Sequence, residues 1–586
     1  MSEVASNLRA SIGAALIMRA LVIGDDTRSF LAIVRSLGRA GWEVDAAPYD
    51  FSSAALASRY IREIHRLPPY SLSADRWVAR LQDLIGLQNY NLVIPCDDRG
   101  LIPLQRHAAS FAGPALALPN EEAMATFFDK AETRRLAASL GVPIAPGKPL
   151  DDRDDAQSLE ERFGLPLALK PRSSYTLGQA GAKDSVRIVH DVPQLRETLA
   201  EIRDRSTWLV EGFFRGEGVG VSVLADRGAI VLAFQHCRLA EASETGGSSS
   251  RIGEPLDARL MEAVAALAKA TALHGVAMFE FRRAPESGRF ILLEVNCRFW
   301  GSLPLAVASG ADFPAAAAAL YVAGAAEPGA DIRIGLVLRD LGGEYYRVLR
   351  TASAATSSAG KIGRAAVGLG RLALALPFGR KFDSHAADDP APWHRQRGQM
   401  ARTIFAALAK RLTSASRRRR RARAALRRLH ARGHEGRRAI VMLCHGNICR
   451  SPFAEQRLRA KATAARLDLD IVSAGTIGLE GRRSPDQAIS AARALGTDLA
   501  GHRSRFLDVE QARAAGAVIV FDDRNVDELH RLGLNGDINL LRLPDLTGRA
   551  EIGDPYGHGP EAFARVYGEI DEAVDRLVAG IRGAAR

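Results

Sequence analysis

Cysteine is scarce in this chain. The five present among 586 residues, Cys96, Cys237, Cys297, Cys444 and Cys449, are too few and too scattered for a disulfide framework. Such usage fits a reducing, cytoplasmic compartment. Long apolar runs are missing as well. No stretch reaches the ~20 residues that span a bilayer, and the longest candidate, Ala365–Phe378, carries Arg371. An apolar segment at Ala10–Leu21 runs through Arg19 into strand-like sequence without a cleavage site, which argues against a secretory signal. Outside one segment, charge of one sign is lacking too. The net charge is +12, and residues 417–438, with eleven arginines and one glutamate, account for +10 of it. What remains is nearly neutral, so the basic character belongs to a linker and not to the folded parts. Internal repeats are absent.

An apolar content of 47% with 25% charged residues is that of ordinary globular protein. The length implies roughly three or four folded units. An α/β opening is legible first: a strand at Arg19–Gly24, a helical pattern at Thr27–Ala40 and a strand at Trp42–Ala46. Asn91–Cys96 reads as a further buried strand, with Asp97 and Asp98 at its carboxyl end as substrate contacts or helix caps.

Beyond residue 121 the texture changes to a strand-dominated α+β unit. A helix over Glu121–Leu140 leads to strands near Leu167–Lys170, Val186–Val189, Trp208–Glu211, Gly220–Leu224, Ile230–Gln235, Ala277–Arg282 and Phe290–Val295. A helix spans Asp257–Leu273, and polar, glycine-containing loops fall at Ser173–Gly181 and Thr245–Gly253. Residues 331–410 read as partly helical, and the arginine tract as either helix or disordered tether. A new domain begins with the strand Ala439–Cys444.

Ala439–Pro452 reads AIVMLCHGNICRSP, a buried strand delivering Cys444, then a loop, then Arg450 and Ser451 opening a helix. A five-residue loop between cysteine and arginine curls its N–H groups around one phosphate dianion, and the helix dipole adds to that field. The same field favours thiolate over thiol and makes Cys444 a nucleophile. Arg450 supplies a planar fork for two phosphate oxygens, and Ser451 is placed to hydrogen-bond the thiolate. These residues, with Ser473-Ala474-Gly475-Thr476, His502-Arg503 and Asp554-Pro555-Tyr556 in order downstream, give residues 437–586 a resemblance to low-molecular-weight protein-tyrosine phosphatases.

The resemblance implies a flavodoxin-like α/β domain with a parallel sheet. It makes Asp554 the general acid, then the base for water, and Tyr556 a wall of the cleft. It assigns His445, Gly446, Asn447, Ile448 and Cys449 to the phosphate loop, with Asn447 holding its shape. Cys449 offers a reversible disulfide partner for Cys444, or simple loop packing. His445 departs from the pattern, and there an imidazolium would favour thiolate further. Arsenate reductases of a related fold use resolving cysteines nearer the C-terminus, and no cysteine follows Cys449. The phosphatase needs no cofactor.

In residues 121–330, Lys130 opens a helix and Lys170 ends a strand before the glycine loop. Glu211 lies on a strand, Glu280 on another, and Glu294, Asn296 and Arg298 lie on or just after the next. Two lysines suit triphosphate oxygens, and two carboxylates with an amide suit Mg²⁺. Glu294 and Asn296, two apart, face one side of a strand. This arrangement resembles the ATP-grasp superfamily, with residues 1–120 as its preceding α/β domain.

By that resemblance Lys130 and Lys170 bind ATP phosphates, and Glu211 serves the adenine–ribose region. Glu280, Glu294 and Asn296 hold Mg²⁺ or Mn²⁺, and Arg298 meets the transferring phosphate or the substrate carboxylate. The activity implied is ligation of a carboxylate to an amine through an acyl phosphate. The alternative is a non-catalytic ATP- or metabolite-sensing module that regulates the phosphatase. The expected organisation is therefore 1–120, 121–330, a partly helical and arginine-rich 331–436, and 437–586. The expected phosphatase substrate is a phosphotyrosine protein or aryl phosphate, with a small phosphorylated metabolite as a further reading. The arginine tract offers weak contact to an anionic membrane surface. Without interleaved aromatics it predicts no specific nucleic acid.

Overall fold

A computed structural model describes residues 17–584 apart from short internal stretches, the longest being 174–185, 354–363 and 373–381. Most of the Ser173–Gly181 loop and the greater part of Ala365–Phe378 lie outside the described residues. The chain divides into two compact units, residues 1–400 and 401–586.

The first unit opens with five parallel strands: β1 (Arg19–Ile23), β2 (Glu43–Ala47), β3 (Ile61–Ile64), β4 (Leu92–Pro95) and β5 (Ala115–Leu116). Their order is β3-β2-β1-β4-β5. The central strands read as near-continuous apolar runs because helices cover both faces. The helix Ser29–Arg39 covers one of them, burying Phe30, Leu31, Ile33, Val34 and Leu37. Asp97 caps the helix Asp98–Arg106 by accepting from the Arg99 amide.

The helical stretch expected over Glu121–Leu140 is two helices, Glu121–Phe128 and Lys130–Ser139. Between them Asp129 turns extended and its carboxylate accepts from the Ala131 amide. A capping aspartate thus outweighs an unbroken helical pattern. Next come β6 (Gly147–Pro149), β7 (Leu167–Pro171), β8 (Arg187–Val189) and β9 (Trp208–Gly212), ordered β6-β9-β7-β8.

A six-stranded antiparallel sheet follows: β10 (Glu217–Asp226), β11 (Ala229–Ser243), β12 (Gly246–Glu254), β13 (Gly275–Arg283), β14 (Phe290–Asn296) and β15 (Val337–Arg339). Its order is β14-β13-β10-β11-β12-β15. β12 occupies the segment expected to be a glycine-rich loop. Its sequence, GGSSSRIGE, is poor in strand formers, and pairing on both sides, with β11 and β15, overrides that composition.

The region after residue 331 is not uniform. Asp389 is buried against the first sheet's layer, accepting from Arg35 Nε at 2.9 Å and Ser58 Oγ at 2.7 Å. Among the described residues no single helix is long and apolar enough to cross a membrane. The apolar pair Leu303–Ser309 and Phe313–Ala323 is core, with Phe313 set edge-on to buried Trp300.

In the second unit β16 (Ala439–Cys444), β17 (Asp470–Gly475), β18 (Ala517–Val520) and β19 (Leu540–Arg542) form a parallel sheet ordered β17-β16-β18-β19. The arginine tract is a helix, Ala415–His434. Ala422, Ala425, Leu426 and Leu429 fall at helical spacing and are buried, the last three in the same core as Ile440 and Phe453. Its arginines hold the flanks: Arg418 Nε donates to the Gly548 carbonyl at 2.9 Å and Arg428 Nε to Asn539 Oδ1 at 3.0 Å. Leu429→Ala is expected to destabilise the phosphatase unit by about 2–4 kcal/mol. Arg423→Ala on the exposed side should stay within about 0.5 kcal/mol. Thermal unfolding of the full chain, followed by loss of phosphatase activity, measures both.

Candidate functional site

β16 ends at Cys444 in the middle of the parallel sheet, and the helix Arg450–Ala464 begins six residues later. The intervening loop is held in shape by Asn447, fully buried and in the left-handed region at φ 49°. Its amide nitrogen donates to Ser451 Oγ and Ser473 Oγ, both at 2.9 Å. Its amide oxygen accepts from the Arg505 backbone, and its carbonyl meets His502 Nε2 at 2.7 Å. Gly475 lies behind the loop, where a Cβ would come within 3.0 Å of the His445 carbonyl. Among the described residues, the backbone amides of His445 to Cys449 donate to no protein acceptor. Amides of a buried loop seldom lack partners, so a row of them amounts to an anion cradle.

Cys444 is buried, with Sγ 3.1 Å from Ser451 Oγ. Arg450 is 1% exposed. One terminal nitrogen donates to Asp522 at 2.5 Å and to the Ile552 carbonyl at 3.1 Å, and the other to Asp554 Oδ2 at 2.9 Å. The structure thus brings Cys444, Ser451, Arg450 and Asp554 to one place, though Asp554 is remote in sequence. Tyr556 is exposed beside Asp554. Cys449 is buried, and burial together with the Cys444 sulfur pushes its thiol well up. Its carbonyl accepts from Tyr567, whose ring stacks on Phe453.

His445 is held between an acidic and a basic side chain. Its Nδ1 lies 2.6 Å from Glu528 Oε1 and its Nε2 2.8 Å from Arg524 Nη2. Glu528 also takes Thr476 Oγ1 at 2.5 Å, while the Thr476 amide donates to the His445 carbonyl at 3.0 Å. Burial opposes the Glu528 charge, but His445 and Thr476 hold its carboxyl down at about 2. Asp522, Arg524 and Glu528 belong to no motif legible in the sequence. All three lie at the start of or within the helix Asp523–Arg531 that follows β18, and that strand-to-helix junction is the signal that could flag them.

In the first unit a cavity of about 280 Å³ is lined by Lys170, Glu211, Glu280 and Glu294 among others. Lys170 Nζ lies 2.5 Å from Glu211, which also accepts from Arg134 at 2.7 Å. Lys130 Nζ lies 3.4 Å from Glu294. The Asn296 amide nitrogen reaches Glu280 at 3.4 Å and Glu294 at 3.3 Å. Arg298 contacts Asn296 Oδ1 at 3.1 Å and is anchored by Asp98 Oδ1 at 2.7 Å. Burial raises the cost of the Glu294 charge, yet Lys130 and Lys170 hold its carboxyl below the usual range. The predicted residues therefore cluster. Asp98 positions Arg298, and Asp97 is a helix cap. Arg134 and Arg238, which pairs with Glu280, carry no signal in the sequence.

A family model for the low molecular weight phosphotyrosine protein phosphatase matches residues 439–585. One for ATP-grasp in the biosynthetic pathway with Ter operon matches residues 204–338. Wzb, a low molecular weight protein-tyrosine-phosphatase of Escherichia coli K12, is 32% identical over 128 residues, 22% of this chain and 84% of that protein. Etp of the same strain is 29% identical over 135 residues, 23% and 88% of the two chains. Among solved structures, the biotin carboxylase domain of Hydrogenobacter thermophilus 2-oxoglutarate carboxylase, with MgADP, aligns at TM-score 0.45 and 17% identity, over 55% of this chain and 74% of that one. Staphylococcus aureus N5-carboxyaminoimidazole synthetase, with ADP, gives 0.44 and 14%, over 55% and 83%. The chain thus joins an ATP-grasp part to a hydrolase, and through residues 439–585 it belongs to the low-molecular-weight protein-tyrosine-phosphatase family.

Proposed function

We propose that the chain is bifunctional, hydrolysing aryl phosphates such as phosphotyrosine in one unit and ligating a carboxylate to an amine with ATP in the other. The cradle of unpartnered amides between Cys444 and Arg450 carries the first half. Cys444 attacks phosphorus, the ester bond breaks, and Asp554 passes its proton to the departing phenolate. Asp554 then takes a proton from the water that cleaves the phosphorus–sulfur bond, and the thiolate leaves with Ser451 donating to it. Arg450, released from Asp522 and Asp554, meets two phosphoryl oxygens.

The second half rests on the meeting of Lys170, Glu280, Glu294 and Asn296 in and around one cavity. Glu280 and Glu294 are the hard oxygen donors Mg²⁺ prefers, and Asn296, whose amide nitrogen faces both here, would add its oxygen on turning its amide over, so the side chains fit the ion. When bound, Mg²⁺ supplies charge neutralisation at phosphate oxygens. Lys130 and Lys170, both paired to carboxylates here, are placed to exchange those partners for phosphate oxygens, and Arg298 to hold the acceptor carboxylate. Release of ADP by the full chain, dependent on both a carboxylate and an amine, tests the ligase. Nucleotide binding without turnover across a broad panel favours a sensing role instead.

Four outcomes are expected of the phosphatase. Cys444→Ser should lose roughly 10³-fold or more in kcat. Asp554→Asn should lose about 10²-fold or more on phenyl phosphate, and less on p-nitrophenyl phosphate, whose leaving group needs no proton. His445→Ala and Glu528→Gln should each lower kcat by roughly three- to ten-fold, and the double variant no further, because they form one unit. His445→Lys should not restore the rate, since a lysine ammonium cannot bridge Glu528 and Arg524 as the ring does. Steady-state kinetics with both esters checks all of these.

A further inference from the structure

The cavity of the first unit extends beyond the nucleotide-type residues onto an arginine ledge. Directly opposed residues of an antiparallel sheet share a face. One row crosses the sheet as Glu294, Glu280, Gly220 and His236. Beside it Arg282 opposes Gly218, and Arg238 opposes Arg251. The two glycines form a side-chain-free trough. A Cβ at Gly218 would lie 2.7 Å from Arg238 Cδ, and one at Gly220 would strike the His236 ring. The glycines of β10 therefore let Arg238 and His236 lie across the sheet beneath the cavity.

The ledge gathers arginines that are paired to carboxylates through some of their nitrogens only. Arg238 and Arg282 share Glu241, and Arg238 also pairs with Glu280. Arg251, wholly buried, pairs with Asp383 through one terminal nitrogen. Among the described residues its Nε and other terminal nitrogen have no hydrogen-bond partner, nor do Arg238 Nε and His236 Nδ1. Burial and the two arginines push the His236 imidazole down to about 3, so it adds no charge. A further guanidinium arrives from the first sheet. Arg28, just beyond the carboxyl end of β1, lines the same cavity and makes no side-chain hydrogen bond among the described residues. Gly301 makes room for it, since a Cβ there would lie 2.8 Å from Arg28 Nη1.

Resting on the ligase reading, the geometry points to an acceptor substrate that carries a second anionic group, carboxylate or phosphate. Arg28 and the Arg238–Arg251 ledge hold it, while Arg298 faces the carboxylate to be activated. A neutral or monoanionic acceptor would leave these buried N–H groups without acceptors, a loss of the kind that discriminates strongly between ligands.

The test uses the full chain in an Arg450→Met background, which removes the phosphate loop as a competing anion site. Acetate, malonate and phosphonoacetate are titrated calorimetrically with and without MgADP. Malonate or phosphonoacetate should bind at least ten-fold more tightly than acetate, the stronger of the two identifying the second group. The preference should fall to within two-fold in Arg28→Met and in Gly301→Ala, each checked for an unchanged thermal midpoint. Arg251→Met should do the same but leaves Asp383 unpaired, so the other two variants decide the outcome. Equal affinity for the three anions, or a preference that survives both substitutions, overturns the proposal. Failure of MgADP to bind while malonate is still selected overturns the ligase reading and leaves the ledge standing.

Discussion

A guanidinium taken out of water must be met by a carboxylate or a carbonyl, and this constraint shapes both units. Arg35 is met by Asp389, Arg251 by Asp383, Arg298 by Asp98, and Arg450 by Asp522 and Asp554. Each pair joins segments far apart in sequence. Such pairs add little net stability, because desolvation offsets most of the attraction. Breaking one by removing a single partner costs about 3–5 kcal/mol. Their value here is positional: they fix where a charged fork stands without leaving it to solvent. Arg450 is the clearest case, since its two carboxylate partners hold its fork beside Cys444.

The helix Asp523–Arg531 extends the same logic to the whole phosphate loop. Its cap, Asp522, holds Arg450 at one end of the loop, while Arg524 and Glu528 hold His445 at the other. One rigid element thus braces both ends of the cradle. The energetic demand on it is modest, because Asn447 already fixes the middle of the loop through its bonds to Ser451, Ser473 and Arg505.

What the sequence discloses follows the range of the interactions. The strand, loop and helix from Ala439 to Ala464 are contiguous, so spacing alone locates Cys444, Asn447, Arg450 and Ser451. Asp554 needs a family pattern, and Asp522 and Glu528 escape because their partners are remote. β12 reads as loop because serine and glycine hide a strand until its neighbours in the sheet are known. The arginine tract leaves helix and tether open because its charge hides a four-residue apolar stripe at helical spacing, which only a packed partner reveals. The break at Asp129 is visible as a potential cap but is masked by the stronger helical period around it.

Glycine carries a second kind of information that composition obscures. In β10 the alternation Glu217-Gly218-Val219-Gly220 looks like a weak strand, since glycine adds no packing of its own. Its valine, on the other face, is buried in a core cluster, while the glycines sit where Arg238 and His236 must lie flat. The strand gives up side-chain contacts on one face to create volume, and that volume is where the cations converge. A strand weakened on one face alone is weakened for a reason, and here the reason is room for the Arg238 and His236 side chains that lie across it.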